Sequence, residues 1–200
     1  MSFDVVILAA GKSTRFNGIK QLAEIEDTNM INFCINKFSQ IDIDDIYVAL
    51  GANSEKILPS LSLNCTPIMS ENWHLGLGHT ISDIIKKLSI KSNHLLLCLG
   101  DQVLIPQAHY QKLINESHTN RQKIIATLSQ NKMMAPAIFP KSYFRELEKL
   151  FGDKGAGCLM RENAHNVICI ECNHAKLDID TQEEYFILKQ KLKNNQMEQV

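Results

Sequence analysis

The chain has 200 residues, 44% of them hydrophobic, which is enough for one compact α/β core and too little for two independent ones. Lys and Arg number 21 against 22 Asp and Glu, a net charge of −1. That balance excludes a general electrostatic pull toward nucleic acid or an anionic membrane, so any anion site must be local. No stretch approaches the roughly 18 apolar residues of a membrane span, and residues 1–4 do not begin a basic-then-apolar leader. The expectation is a cytoplasmic protein with no nucleic-acid and no membrane partner.

Apolar runs of strand length alternate with helical patterns from end to end. This is the signature of an α/β fold, a single-domain, Rossmann-like, doubly wound, mostly parallel sheet over residues 1–193, followed by a polar tail at 194–200. Strands are expected at 5–9, 46–50, 65–69, 95–99, 124–127, 137–139 and 167–170, and helices at 30–38, 77–88, 107–117, 142–150, 154–162 and 181–192.

The first strand runs into the segment 7–22, ILAAGKSTRFNGIKQL. Small residues at Ala9, Ala10 and Gly11 let backbone N–H groups approach an anion, Gly11, Ser13 and Gly18 keep the loop compact, and Lys12, Arg15 and Lys20 supply charge. The loop reads as a polyphosphate site. It is not a P-loop, because the glycine required five residues before Gly11 is Val6. Further on, Gly76-Leu77-Gly78 begins like a dinucleotide fingerprint, but the third glycine position is Ile81.

In a doubly wound sheet, ligands sit beyond the carboxyl ends of the strands, where the strand order reverses. The strand at 95–99 ends in Gly100-Asp101-Gln102, which brings a carboxylate toward the phosphate loop. Alone, such an aspartate reads as a turn or cap residue; beside a polyphosphate loop it is a magnesium ligand, since nucleotide-bound magnesium needs only one or two protein carboxylates. Asp178-Ile179-Asp180-Thr181 places two more carboxylates on one face if extended, while Asp180 or Thr181 also suits the cap of the helix that follows.

The six cysteines lie mostly inside apolar segments and read as buried thiols. Cys169 and Cys172 have CxxC spacing, but in a strand they point to opposite faces and have no second pair. The seven histidines read as surface or capping groups, with His79 the candidate for a ligand contact, and Trp73 reads as a core or lid aromatic.

With these residues in hand the chain resembles the MobA-like nucleotidyltransferases, and within them the molybdenum cofactor cytidylyltransferases. The family's opening LAAGxSxRxGxxK is similar to the run from Leu8 to Lys20, its GxGxSL to Gly76–Ile81, its GDQP to Gly100–Val103, its GDKGAR to Gly152–Gly157, and its DIDTPED to Asp178–Glu184. The resemblance implies the nucleotide-diphospho-sugar transferase type of sheet and transfer of CMP from CTP to the phosphate of molybdopterin cofactor, releasing pyrophosphate with Mg2+ as cofactor. Ala10 in the opening turn favours CTP over GTP.

It further implies that Leu8, Ala9, Ala10, Gly11, Ser13, Asn72, Gly78, His79 and Thr80 bind the nucleotide. Arg15 and Lys20 hold the triphosphate, and with Asp101 they form the catalytic set. Asp101 with Asp178 or Asp180 holds the metal, and Pro136 and Lys154 face the acceptor. A molybdenum enzyme is the implied recipient of the product. Four positions depart from the family pattern: Val103 for proline, Gly157 for arginine, His79 for serine, and Ala135 before Pro136. An arginine's bidentate fork is not replaced by Lys154. These departures leave open a GTP-using relative, a sugar or polyol phosphate acceptor, or a low-turnover carrier of molybdenum cofactor.

Overall fold

The computed structural model describes residues 2–88 and 92–197. Its strands are β1 (Phe3–Leu8), β2 (Glu24–Ile25), β3 (Thr28–Asn29), β4 (Asp45–Leu50), β5 (Thr66–Met69), β6 (His94–Leu99), β7 (Ile124–Ser129), β8 (Lys132–Pro140) and β9 (Val167–Glu171). Its helices are α1 (Met30–Asn36), α2 (Ser54–Ile57), α3 (Leu77–Lys87), α4 (Gln107–Thr119), α5 (Phe144–Leu147), α6 (Gly157–Glu162) and α7 (Gln182–Met197).

Seven strands form one sheet in the order β5-β4-β1-β6-β8-β7-β9, with β2 and β3 a separate small ribbon. β1 pairs in parallel with β4 and β6, β4 with β5, and β7 with β9, whereas β8 runs antiparallel to both of its neighbours. The architecture is thus α/β with a mostly parallel sheet, as the alternation of runs implies. From β1 the chain winds outward through β4 and β5 and then returns to the other side of β1 as β6. The crevice between the carboxyl ends of β1 and β6 is therefore the switch point at which such sheets bind ligands.

Period-two alternation divides β1 between the faces. Phe3, Val5 and Ile7 pack with Ile31 and Ile35 of α1 and Tyr110, Leu113 and Ile114 of α4. Val6 and Leu8 pack with Ile81, Ile84 and Ile85 of α3, Phe144 and Leu147 of α5, and Leu159 and Met160 of α6. A third cluster of Phe16, Ile25, Met30, Cys34, Val103, Ile179 and Leu188 lies beside the crevice. It joins the loop after β1 to the segment before α7 across more than 160 residues of chain.

Several boundaries differ from expectation for identifiable reasons. β8 begins at Lys132 because Gln130 and Asn131, with φ of 48° and 61°, make a two-residue turn that extends the β7–β8 hairpin. The helix expected at 142–150 is a 3-10 turn, Lys141–Tyr143, followed by the single turn α5. The helix expected from 154 starts only at Gly157, since residues 151–155 are an irregular loop lying against α3. The β2–β3 ribbon and α2 are additional elements, too short to register as periodic runs. α7 continues to Met197, so it takes in the first residues of the expected tail, and 198–200 lie outside the described residues.

Candidate active site

The crevice holds a cavity of about 470 Å³ lined by Leu8, Ala9, Ala10, Gly11, Lys12, Lys20, Gln21, Trp73, His74, Gly76, Leu77, Thr80, Leu99, Gly100, Asp101 and Asp153. Its inner wall is an extension of the sheet ladder. Ala9 N–H donates to the Ala49 carbonyl, Ala52 N–H to Ala10, and Gly100 N–H to Leu8, each at 3.0 Å. The loop after β1 is then held by a side chain that sequence reasoning did not single out. Buried Gln21 donates from Nε2 to the carbonyls of Ala9 (2.9 Å) and Gly11 (3.3 Å) and accepts from the Ser13 hydroxyl (3.1 Å). Ser13 is thereby a brace of the loop, and its φ of 55° turns the chain back toward Lys20.

The electrostatic centre is the floor, where Lys20 and Asp101 line the cavity and Arg15, Asp178 and Asp180 adjoin them without lining it. Lys20 Nζ donates to Asp101 Oδ2 at 2.5 Å and to Asp180 Oδ1 at 2.9 Å, while the exposed Arg15 donates from Nη2 to Asp180 Oδ2 at 2.6 Å. Burial alone would lower the pKa of Lys20, but Asp101 and then Asp180 outweigh it and raise it above the usual lysine value. Burial likewise pushes Asp180 up, and hydrogen bonding and charge from Lys20 and Arg15 hold it below the carboxylate range. Asp178 is pushed up to about 6, by burial first and then by Asp101.

Asp101 Oδ1 and Asp178 Oδ1 are both buried without a hydrogen-bond partner, and the two carboxylates lie within Coulombic reach of each other. Buried unpartnered carboxylate oxygens are costly unless something binds them, and hard anionic oxygens suit Mg2+ or Mn2+. Among the described residues no three His, Cys, Asp or Glu side chains converge as a ready-made metal set. The site therefore fits an ion held by two protein carboxylates and completed by other oxygens, as nucleotide-bound magnesium is.

The rim comes from the turn before α3. Asp83 accepts from the Ser70 hydroxyl (3.0 Å), the Asn72 N–H (2.9 Å) and Asn72 Nδ2 (3.0 Å), which fixes the turn carrying Trp73. Asn72 thus spends its amide on Asp83, and neither its side chain nor Gly78 nor His79 lines the cavity. Gly76 has φ of 114°, and a Cβ there would lie 2.5 Å from Asp153 Oδ1 and the Gly152 carbonyl; one on Gly78 would lie 2.7 Å from the carbonyls of Phe151 and Lys154. His79 Nδ1 accepts the Gly152 N–H at 2.8 Å. All three residues serve close docking of the 151–155 loop, which carries Asp153 into the cavity and Lys154 to its outer side. Thr80 lines the cavity and donates to the Gly76 carbonyl.

On the far side, the Pro136 carbonyl accepts from the Thr127 hydroxyl at 2.7 Å, which commits that hydroxyl's proton and makes His109 the Nε2–H donor to Thr127 at 2.8 Å. Val103 packs into the cluster around Phe16. Arg161 Nη1 stands 3.3 Å from where a side chain on Gly157 would begin. All six cysteines are unpaired. No helix among the described residues is long and apolar enough to cross a membrane.

A family model described as the MobA-like NTP transferase domain matches residues 5–167. The bifunctional protein GlmU of Staphylococcus epidermidis is 30% identical over 147 residues, covering 72% of this chain and 31% of that protein. The chain spans between a quarter and a third of the length of the curated relatives it matches. Among solved structures, the homologue of Mycobacterium tuberculosis Rv0371c from Mycobacterium sp. strain JC1 superposes with a TM-score of 0.83 at 25% identity, covering 96% of this chain and 97% of that one. Rv0371c from Mycobacterium tuberculosis H37Rv in complex with manganese gives 0.78 at 24% identity, covering 95% and 99%.

Sheet order, a switch-point cleft and the family match together define the NTP transferase class of domain. The chain belongs to the MobA-like NTP transferase domain family.

Proposed function

We propose that the protein transfers CMP from CTP to the phosphate of molybdopterin cofactor and releases pyrophosphate. The observation that carries this reading is the floor of the cleft, where Lys20 is clamped by Asp101 and Asp180 while one oxygen each of Asp101 and Asp178 is buried and unpartnered. Triphosphate and divalent metal are what such a cation and such oxygens would receive.

In this reading Leu8, Ala9, Ala10, Gly11 and Thr80 form the nucleoside and phosphate wall, and Lys20 and Arg15 neutralise the triphosphate. Ser13, Asn72, Gly78 and His79 act by shaping that wall, and Pro136 and Lys154, neither of which lines the cavity, are given the acceptor side by the family pattern alone. Asp101 and Asp178 would hold the metal, with Asp180 orienting Lys20 and Arg15. An acceptor phosphate oxygen forms the new bond to the α-phosphorus as the bond to the pyrophosphate oxygen breaks. No proton has to be removed, because the second phosphate pKa is about 6 and the nucleophile is already anionic. This chain's residues therefore work by positioning and by stabilising charge on the leaving pyrophosphate. Bound Mg2+ or Mn2+ would supply further neutralisation of the phosphate oxygens.

The test is pyrophosphate release from CTP and from GTP, with Mg2+ or Mn2+, with and without molybdopterin cofactor. Cofactor-dependent release from CTP is the expected result. Release only from GTP, or only with a sugar or polyol phosphate, would move the protein to another branch, and nucleotide binding without release would make it a carrier.

A further inference from the structure

The two roles given to the floor of the cleft compete in this geometry. Lys20 is assigned to phosphate, yet both of its short contacts go to carboxylates. Asp101 is assigned to metal, yet one of its oxygens is taken by Lys20. The ammonium and the Asp101 carboxylate are largely withdrawn from solvent, with side-chain exposures of 12% and 17%, so their attraction is screened far less than that of a surface pair.

We propose that without nucleotide the Lys20 ammonium, held by Asp101 and Asp180, opposes a second cation at the adjacent free oxygens of Asp101 and Asp178, so that a divalent metal binds tightly only when a triphosphate draws Lys20 away. This rests on the reading of the cleft as a metal and nucleotide site, and it adds an order and a linkage to that reading.

The charges decide the direction. Asp101, Asp178 and Asp180 can contribute three negative charges, and Lys20 and Arg15 two positive ones. A divalent ion arriving alone meets a floor already close to neutral, with an ammonium on the carboxylate it must use. A triphosphate arriving beside the exposed Gly11–Lys12 backbone offers Lys20 and Arg15 phosphate oxygens in place of the aspartates. Once Lys20 has moved to them, Asp101 has both oxygens free and Asp178 Oδ1 still lacks a partner. Metal and nucleotide then tighten each other's binding by the same factor, since linkage between two binding sites is reciprocal. A further consequence is that removing a cation assigned to catalysis should improve metal binding.

The test is Mn2+ binding, followed by the electron paramagnetic resonance of the free ion, to wild type, Lys20→Met, Lys20→Arg and Asp101→Asn, each with and without a non-hydrolysable α,β-methylene analogue of CTP. Met keeps the length of the lysine stem without the charge, and circular dichroism verifies that each variant is folded. Without nucleotide, Lys20→Met should bind Mn2+ at least about tenfold more tightly than wild type, and Lys20→Arg should remain weak. Adding the analogue should tighten wild type by about the same factor and Lys20→Met much less.

Mn2+ binding by Lys20→Met no tighter than wild type without nucleotide would overturn the opposing role of Lys20, even if wild type gains metal with the analogue and Asp101→Asn does not. Failure of wild type to bind Mn2+ even with the analogue, or unchanged binding in Asp101→Asn, would instead overturn the metal site itself and the proposal with it.

Discussion

The loops after β1 and after β6 face each other across the cleft, and each is tied down through a half-buried lysine. Lys20, in the first loop, meets carboxylates, and its pKa is raised. Lys37, beneath the second, meets no carboxylate: it donates to the carbonyls of Val103 at 2.5 Å, Ile105 at 2.6 Å and Gln102 at 3.5 Å and lies over the Phe33 ring at 5.3 Å. Burial dominates there, and its pKa is lowered. Ionised partners keep a buried cation charged and can be exchanged for other anions, whereas carbonyl dipoles only partly offset desolvation and leave the cation as a fastener. In the proposed function Lys20 is therefore the exchangeable cation. Lys37 belongs to the framework that presents Asp101, together with Gln102, whose Nε2 donates to the Ala175 carbonyl at 2.8 Å.

The comparison breaks most visibly in turnover. Lys20→Ala and Asp101→Ala should each lower kcat/KM by about 10²- to 10³-fold, the scale of losing one group that stabilises developing charge, in protein that circular dichroism shows to be still folded. Near-normal pyrophosphate release from either variant would remove that residue from the site.

A second test uses His109, another buried titratable group with a neutral partner, the Thr127 hydroxyl. Burial, and then the charge of Lys112, lower its pKa to about 4. The unfolded chain takes up the proton near pH 6.5 and the folded one does not until about pH 4, so stability is full above the unfolded value and falls as pH drops through that window. The expected loss is on the order of 3 kcal/mol. Urea unfolding at pH 7 and pH 4.5 should show it in wild type and show a shallower slope in His109→Gln.

Lys37→Met should give the pattern opposite to Lys20→Ala. It leaves the carbonyls of Val103 and Ile105 without their partner and should cost about 2 kcal/mol in chemical denaturation, with any kinetic change confined to the metal concentration required. If Lys37→Met abolished turnover without destabilising the fold, the distinction between the two lysines would fail. The smallest effect is expected for Arg15→Ala. Its ion pair with Asp180 is largely exposed, so stability should move by less than about 0.5 kcal/mol, while KM for the nucleotide rises several-fold in a pyrophosphate-release assay.

The strands were legible because their signal is local. All seven expected strands are present, since runs such as Val5–Leu8 and Leu95–Leu99 must be buried on both faces wherever they lie in the sheet. That the loop after β1 and Asp101 line the cleft was legible for a related reason, as small residues and charges directly follow those runs. Gln21, Asp83 and Lys37 were not, because their work is to hold backbone or turns distant in sequence, and a single Gln, Asp or Lys in a helix or turn carries no mark of that task. The assignments of Asn72, Gly78 and His79 as direct contacts came from motif position, which does not distinguish a residue facing the cleft from one docking the loop behind it.

By itself the sequence determined the class of fold, the strand runs, and where small residues, cations and carboxylates follow them, because hydrophobic period and turn chemistry act over a few residues. Only the tertiary structure decided which charges meet. Asp180 lies 160 residues beyond Lys20, and it reaches the loop because Phe16, Ile179 and Leu188 are buried together, with the Tyr185 ring 5.7 Å from that of Phe16. Apolar burial at that seam brings opposite charges within hydrogen-bonding distance. Asp101 and Asp180, working against burial, give Lys20 its raised pKa, and the exclusion of water leaves two carboxylate oxygens in want of a partner.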